Sequence, residues 1–189
     1  MSNSAPPLAD TVPYKIAVLV YIFNHDGKIL LLHRIKAPNK DLYSPIGGKL
    51  EQNIGESPYA CALREIEEEV GIKLSLHDIR LLGIVSERAF PGSQDAAQPL
   101  AAHWLMFCFE VTRPLNFPAR HMNEGRLEWV DVAAVAGLDI PRTDREVIWP
   151  LVQKHASTLH GMHAGEFFSV HIDCRDAEHF AVVREHPLG

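Results

Sequence analysis

REIEEEVG, residues 64–71, places four glutamates in eight positions. Glu65, Glu68 and Glu69 recur at spacings of three and four, so a helix over this stretch crowds them onto one side. Like charges at those spacings destabilise a helix by about 0.2–0.5 kcal/mol per pair, and the cluster therefore asks for a compensating charge. Ser57-Pro58 upstream is a helix start, a capping hydroxyl followed by a proline suited to the first turn. Gly71 is a helix stop. On a helix over 58–70, Tyr59, Leu63, Ile66 and Val70 form an apolar stripe, and the three glutamates form a second stripe roughly opposite. The first stripe anchors the helix to a core, and the second sends three carboxylates into one volume. The plainer reading of such a run is a solvated acidic face.

Immediately upstream, GGKLEQNIGE (47–56) brings Gly47, Gly48 and Gly55 to the mouth of the helix. A Gly-rich loop lets backbone carbonyls and amides approach closely. Hard cations such as Mg²⁺ take oxygen ligands and are commonly held by carboxylates together with substrate phosphates. A metal site for a phosphorylated substrate accounts for both the glycines and the clustered charge.

Outward from the helix, YKIAVLVYIF (14–23) and KILLLHR (28–34) are apolar, β-rich runs. NHDG (24–27) between them ends in Asp-Gly, a hairpin turn signal. IRLLGIVSE (79–87) and LAAHWLMFCFEV (100–111) predict two more strands. The loop joining them, RAFPGSQDAAQP (88–99), has the length of a substrate-contacting loop. RLEWV (126–130) is a short strand. DVAAVAGL (131–138) and TDREVIWPLVQKHAS (143–157) are helical, the second interrupted by Pro150. EFFSVHID (166–173) and HFAVVRE (179–185) pair as a closing hairpin within 160–189. Strands on both sides of a helix predict an α/β layered fold with a mixed sheet. With no internal repeat or linker, residues 1–189 are expected to form a single domain, with 1–13 as a loose lead-in.

The composition, 47% hydrophobic and 22% charged over 189 residues, is that of an ordinary globular protein. A net charge of −6 offers no basic excess for coating nucleic acid, so neither DNA nor RNA is expected as a partner. An acidic protein can still bind a polyphosphate through a divalent cation. Cys61, Cys108 and Cys174 are far apart, odd in number and set in apolar runs, which fits buried thiols in a reducing cytoplasm. No stretch is long enough to span a bilayer, and the N-terminus does not have the form of a signal peptide. HASTLHGMH (155–163) fits no standard metal spacing and is expected to be an exposed connector.

Gly48, Glu56, Arg64, Glu65, Ile66, Glu68, Glu69, Gly71 and Ile72 resemble the Nudix box, G-x5-E-x7-R-E-U-x-E-E-x-G-U, where U is bulky and aliphatic. Every fixed position from Glu56 to Ile72 agrees. Seven residues lie between Gly48 and Glu56 where the family has five, a two-residue insertion in the loop. The resemblance implies a Nudix-type α/β/α sandwich with a mixed β-sheet. It implies Glu65, Glu68 and Glu69 as ligands of Mg²⁺ or Mn²⁺, with the Gly48 carbonyl as a further ligand. It implies Glu56 and Arg64 as an internal ion pair that orients the site. NEGRLEW (123–129) resembles the stretch where members place one more catalytic or metal-binding glutamate, here Glu124, with Glu128 as the alternative. The chemistry implied is attack of an activated water on a phosphorus of a diphosphate linkage, with Glu65, Glu68 or Glu124 accepting its proton. Lys49 either touches a phosphate or is solvated.

For the substrate, HRIKAPNKDLYSPIGGKLE and the C-terminal third resemble the MutT-like, 8-oxo-dGTPase-like branch. A nucleotide-pool sanitising enzyme cleaving a nucleoside triphosphate to the monophosphate and pyrophosphate is the leading expectation. That branch reads its base through acids and an Asn; here Ile140, Pro141, Arg142 and Thr143 stand at the first place and Ser44 at the second, so the accepted base should differ. Tyr43 and Phe90 are available to stack on a base, whereas Trp104 and Trp129 lie in apolar strands and suit a core. Pro91 falls a few positions late for the ADP-ribose branch. Two alternatives stand beside this: a pyrophosphatase of nucleotide sugars or ADP-ribose, and a Nudix module that only binds a nucleotide. The three retained glutamates favour catalysis over the latter. Many relatives are dimers, so a homodimer is one open state.

Overall fold

The computed structural model describes residues 13–36, 39–88, 102–160, 166–176 and 179–186. In chain order the strands are β1 (Tyr14–Tyr21), β2 (Lys28–Arg34), β3 (Tyr43–Ser44), β4 (Ile79–Arg88), β5 (His103–Val111), β6 (Arg120–Met122), β7 (Gly125–Asp131), β8 (Phe168–Asp173) and β9 (Ala181–His186). The helices are α1 (Pro58–Glu65), α2 (Trp149–His155) and the short α3 (Ser157–His160). A π-helical turn, Ile66–Val70, continues α1, and another, Asp144–Ile148, leads into α2.

The chain is a mixed α/β fold with two sheets. One has the order β1-β5-β4-β8-β9 and the other β3-β2-β7-β6. The five-stranded sheet is mixed: β1–β5 and β4–β8 are parallel, while β4–β5 and β8–β9 are antiparallel. The four-stranded sheet is antiparallel throughout.

Alternation along β1 sorts its side chains onto two faces. Val18 and Val20 join Cys61, Ala62, Ile66 and Val70 of the carboxylate helix in one core. Ala17 and Tyr21 join Leu151 and Val152 of α2 in the other. Ile66 is wholly buried, and burying such a side chain contributes about 1.5–3 kcal/mol. The sheet is thus covered by a helix on each face.

Four expectations are corrected. The Asp-Gly turn is present, with Gly27 at φ +74, but β1 and β2 pair only through the bridge Phe23↔Ile29 and go to different sheets. Both runs are apolar on both faces, so each finds its ladder with distant strands. Second, Pro150 does not interrupt its helix. It sits in the first turn of α2, where the π-helical turn gives way to α geometry and a missing N–H is tolerated. Third, Cys174 is half-buried rather than buried. Fourth, the segment expected as an exposed connector starts buried, at His155 and Ala156.

Candidate active site

The carboxylate helix begins where Ser57 accepts a hydrogen bond from Ala60 N at 3.2 Å, with Pro58 in the first turn. It ends at Gly71, φ +74, whose N–H reaches Glu67 O at 2.9 Å. The longer connection after Gly48 is absorbed by a 3₁₀ turn, Gln52–Ile54, closed by Gly55 at φ +68. The inward face is Cys61, Ala62, Ile66 and Val70, while Tyr59 is 36% exposed and packs edge-on against Phe109.

The glutamates do not form one stripe. Glu65 and Glu69 are buried, at 9% and 5% exposure, whereas Glu68 and Glu67 face outward. The π-helical turn at 66–70 is the cause: its wider spacing breaks the regular α repeat just where the acids fall. Glu124 is half-exposed. The charge of Glu124, carried on the turn between β6 and β7, acts on both Glu65 and Glu69.

Arg64 is the hub. Its Nε and Nη2 donate to Glu56 Oε1 and Oε2 at 2.9 and 3.0 Å, a bidentate pair. Nη1 donates to Glu65 Oε1 at 2.7 Å and Glu68 Oε2 at 3.2 Å. Nη2 also reaches Lys49 O at 3.3 Å. The guanidinium holds the Glu56 carboxyl down at about 2. Glu65 is pushed up by burial despite Arg64. Glu69 is pushed up to about 8 by burial and then by the charges of Glu65 and Glu124. Its Oε2 is buried without a hydrogen-bond partner. Arg34 Nη2 holds Glu124 Oε2 at 3.1 Å. No three His, Cys, Asp or Glu side chains among the described residues converge as metal ligands.

Gly48 fits against this cluster because it lacks a side chain. A Cβ there would lie 2.1 Å from Glu65 Oε1. Its carbonyl accepts from Val18 N at 2.9 Å, with Cys61 Sγ at 3.9 Å. The orphaned carboxylate oxygen of Glu69 and the acids near it are oxygen donors of the kind a hard cation takes.

The other sequence candidates are spread more widely. Lys49 extends over the Trp104 ring, 5.9 Å from its centroid, and Lys15 lies over the same ring at 5.1 Å. Ser44 Oγ is buried without a partner. Tyr43 and Ser44 line a cavity of about 20 Å³ with Tyr21, Asp144 and Trp149, room for one water. Tyr43 also stacks on His33 at 4.5 Å. Arg142 donates to Glu146 Oε1 at 2.6 Å, lies 4.4 Å from the Phe180 ring centroid and is not brought to the glutamates. Phe90 lies outside the described residues. Glu128 pairs with Arg126 at 2.8 Å, held below its ordinary value by that guanidinium.

Sequence reasoning missed Arg34, Arg120 and Asp144. Arg120 Nη2 donates to Glu69 O at the end of the carboxylate helix. Asp144 is pushed up to about 7 by burial, then by Glu87. Asp144 did not stand out, being one of three consecutive charged residues at the start of a segment read only as helical. The two arginines carried no signal, because only the fold brings β2 and β6 to the helix.

Residues 13–152 match the NUDIX domain model, and the chain belongs to that family, the Nudix hydrolases, enzymes acting on pyrophosphate bonds. It is 27% identical to the uncharacterized Nudix hydrolase YvcI of Bacillus subtilis over 140 residues, 74% of this chain and 80% of that one. It is 41% identical over 61 residues to the RNA pyrophosphohydrolase of Gluconobacter oxydans, covering 32% of this chain and 34% of the relative. The crystal structure of a MutT protein from Bacillus halodurans superimposes with a TM-score of 0.64 at 23% identity, over 90% of this chain and 97% of that one. That likeness carries the fold. No helix among the described residues is long and apolar enough to cross a membrane.

Proposed function

We propose that the protein is a Mg²⁺- or Mn²⁺-dependent pyrophosphohydrolase that cleaves nucleoside triphosphates to the monophosphate and pyrophosphate in the cytoplasm, in the manner of a nucleotide-pool sanitising enzyme. The observation that carries this reading is the buried, unpartnered Glu69 Oε2, within the field of Glu65 and Glu124, with the Gly48 backbone packed against Glu65. Glu65, Glu68, Glu69 and the Gly48 carbonyl would hold the cation, which when bound neutralises phosphate oxygens and acidifies a water. Arg64, fixed by Glu56, orients Glu65 and Glu68. Glu65, Glu68 or Glu124 takes the proton of the attacking water as the bridging P–O bond breaks. Lys49, steadied on Trp104, lies beside Gly48 within reach of a phosphate.

A second reading has a specific observation in its favour. Several relatives are named RNA pyrophosphohydrolase, one of them matched over 70% of this chain and 87% of its own length. The substrate would then be the triphosphate at an RNA 5′ end, with the same bond cut.

The test is a panel of nucleoside triphosphates, nucleotide sugars, ADP-ribose and a 5′-triphosphorylated oligoribonucleotide, with Mg²⁺, comparing wild type and Glu68→Gln. Pyrophosphate from free triphosphates, lost in the variant, is the expected result. Turnover confined to sugar nucleotides or to the oligonucleotide would replace the substrate, and nucleotide binding with no turnover would replace catalysis by binding.

A further inference from the structure

The antiparallel sheet carries a second surface that the hydrolytic site does not use. His33 of β2 is the register partner of Tyr43 on β3 and of Arg126 on β7, and Arg126 is the partner of His121 on β6. Residues directly opposite in antiparallel pairs share a face. Tyr43, His33, Arg126 and His121 therefore form one row across all four strands. The row lines a concavity of about 430 Å³, within the range of small-ligand sites at about 300–1,000 Å³.

Its chemistry is planar and rich in hydrogen-bond donors. The Tyr43 and His33 rings are stacked at 4.5 Å with 16° between planes, one π-surface at one end of the row. At the other end are a guanidinium and an imidazole. The one carboxylate lining the concavity among the described residues, Glu128, is on Arg126: its Oε1 takes Nε at 2.8 Å and Nη2 at 2.8 Å. That contact fixes the guanidinium and leaves its Nη1 edge for a ligand. Ile35, 55% exposed, adds an apolar rim. An apolar ligand would strand these polar groups, and a cation would meet Arg126. A ring carrying an anion satisfies both ends, because bases stack on aromatic faces while cations hold the phosphate.

The location also fits. Gly125 and Ile35, on the rim, flank the turn that carries Glu124, and Ile35 N donates to Glu124 O at 2.9 Å. On β2, His33 points into the concavity, while Arg34, on the opposite face, pairs with Glu124. The concavity and the carboxylate helix thus lie on two sides of one strand end.

We propose that this row binds a nucleotide unit, its base on the Tyr43–His33 stack and its phosphate on Arg126 and His121, distinct from the diphosphate cut at the helix. The unit is either a free nucleotide or the next nucleotide of a longer substrate. The site goes beyond the proposed hydrolysis and stands without it.

Calorimetric titration in EDTA, where no turnover occurs, tests it, with adenosine monophosphate and the 5′-phosphorylated dinucleotide pApA as probes. The full chain, Arg126→Gln, His121→Ala and Glu69→Gln are compared, the two surface variants being on different strands so that a folding defect in one leaves the other. Adenosine monophosphate should bind the wild type with Kd below about 1 mM, weaken about fivefold or more in both surface variants, and change less than about twofold in Glu69→Gln. Dinucleotide affinity about tenfold above that of the mononucleotide, also lost in the surface variants, assigns the unit to a longer substrate; equal affinity assigns it to a free nucleotide. Absence of binding overturns the inference, as does binding abolished by Glu69→Gln and untouched by the surface variants.

Discussion

Glu69 keeps its proton to about pH 8 because burial and the charges of Glu65 and Glu124 oppose its ionisation. Its folded value lies above its ordinary 4.5, so its contribution to stability is complete below about pH 4.5 and is lost as pH rises through about 8. The cation-free protein should therefore lose stability across that window, Glu69→Gln should flatten the loss, and Mg²⁺ should raise the melting temperature of wild type at pH 8 but not that of the variant. Differential scanning calorimetry with EDTA or Mg²⁺ checks all three. Arg64 invites a second substitution. Arg64→Lys keeps the charge but cannot hold Glu56 bidentately while reaching Glu65 and Glu68, so kcat should fall more than about tenfold with a small change in melting temperature. Steady-state kinetics on whichever substrate is turned over decides this. At this scale the box residues were legible because their spacing is local. Arg34 and Arg120 were not, because their partners are 90 and 51 positions away.

The carboxylate helix is set by its ends. Ser57 and Gly71 could be read from sequence, and both cap it. The π-helical turn could not, since a wheel at a fixed angle assumes regular α geometry. Arg120 donates to Glu69 O within that turn, and a Cβ on Gly71 would lie 2.8 Å from Arg120 Nη1. Arg120 therefore holds the last carbonyls of the turn and with them the direction of Glu69. Arg120→Ala should weaken Mg²⁺ binding several-fold while Arg120→Lys restores part of it, with far-UV circular dichroism unchanged; titration of Mg²⁺ by calorimetry reads the difference. Element existence was also legible for β2, a run apolar on both faces. Its partners were not, because a strand buried on both faces carries no sign of which edge pairs where. β6, three residues long, is too short to show a period.

The C-terminal region is tied to the sheet by one buried acid. Glu110 on β5 is wholly buried, and its Oε1 accepts from Arg80 Nε at 2.8 Å and Ser157 N at 3.1 Å. Its Oε2 accepts from Thr158 N at 3.3 Å. Arg80 also donates to His155 O at 2.8 Å. Glu110→Ala leaves these donors without their acceptor and should cost about 3–5 kcal/mol, a fall in melting temperature of roughly 10 °C for a chain of this size. Thermal denaturation followed by circular dichroism measures it. Layering was legible from the order of strands and helices, whereas this acid looked like one more residue of an apolar strand.

Gly83 gives the same region another hold. A side chain there would collide with Phe168, at 2.5 Å from its ring, so β8 settles against β4 at a notch. The matched family region ends at residue 152, before β8. A chain shortened to that boundary would expose the hydrogen-bonding edge of β4 and empty the places of Phe168, Val170 and Ile172, all buried. Bare edges of this kind recruit other chains. Such a truncation should leave the carboxylate helix intact in sequence yet precipitate on expression, and its solubility beside the full chain is the measurement.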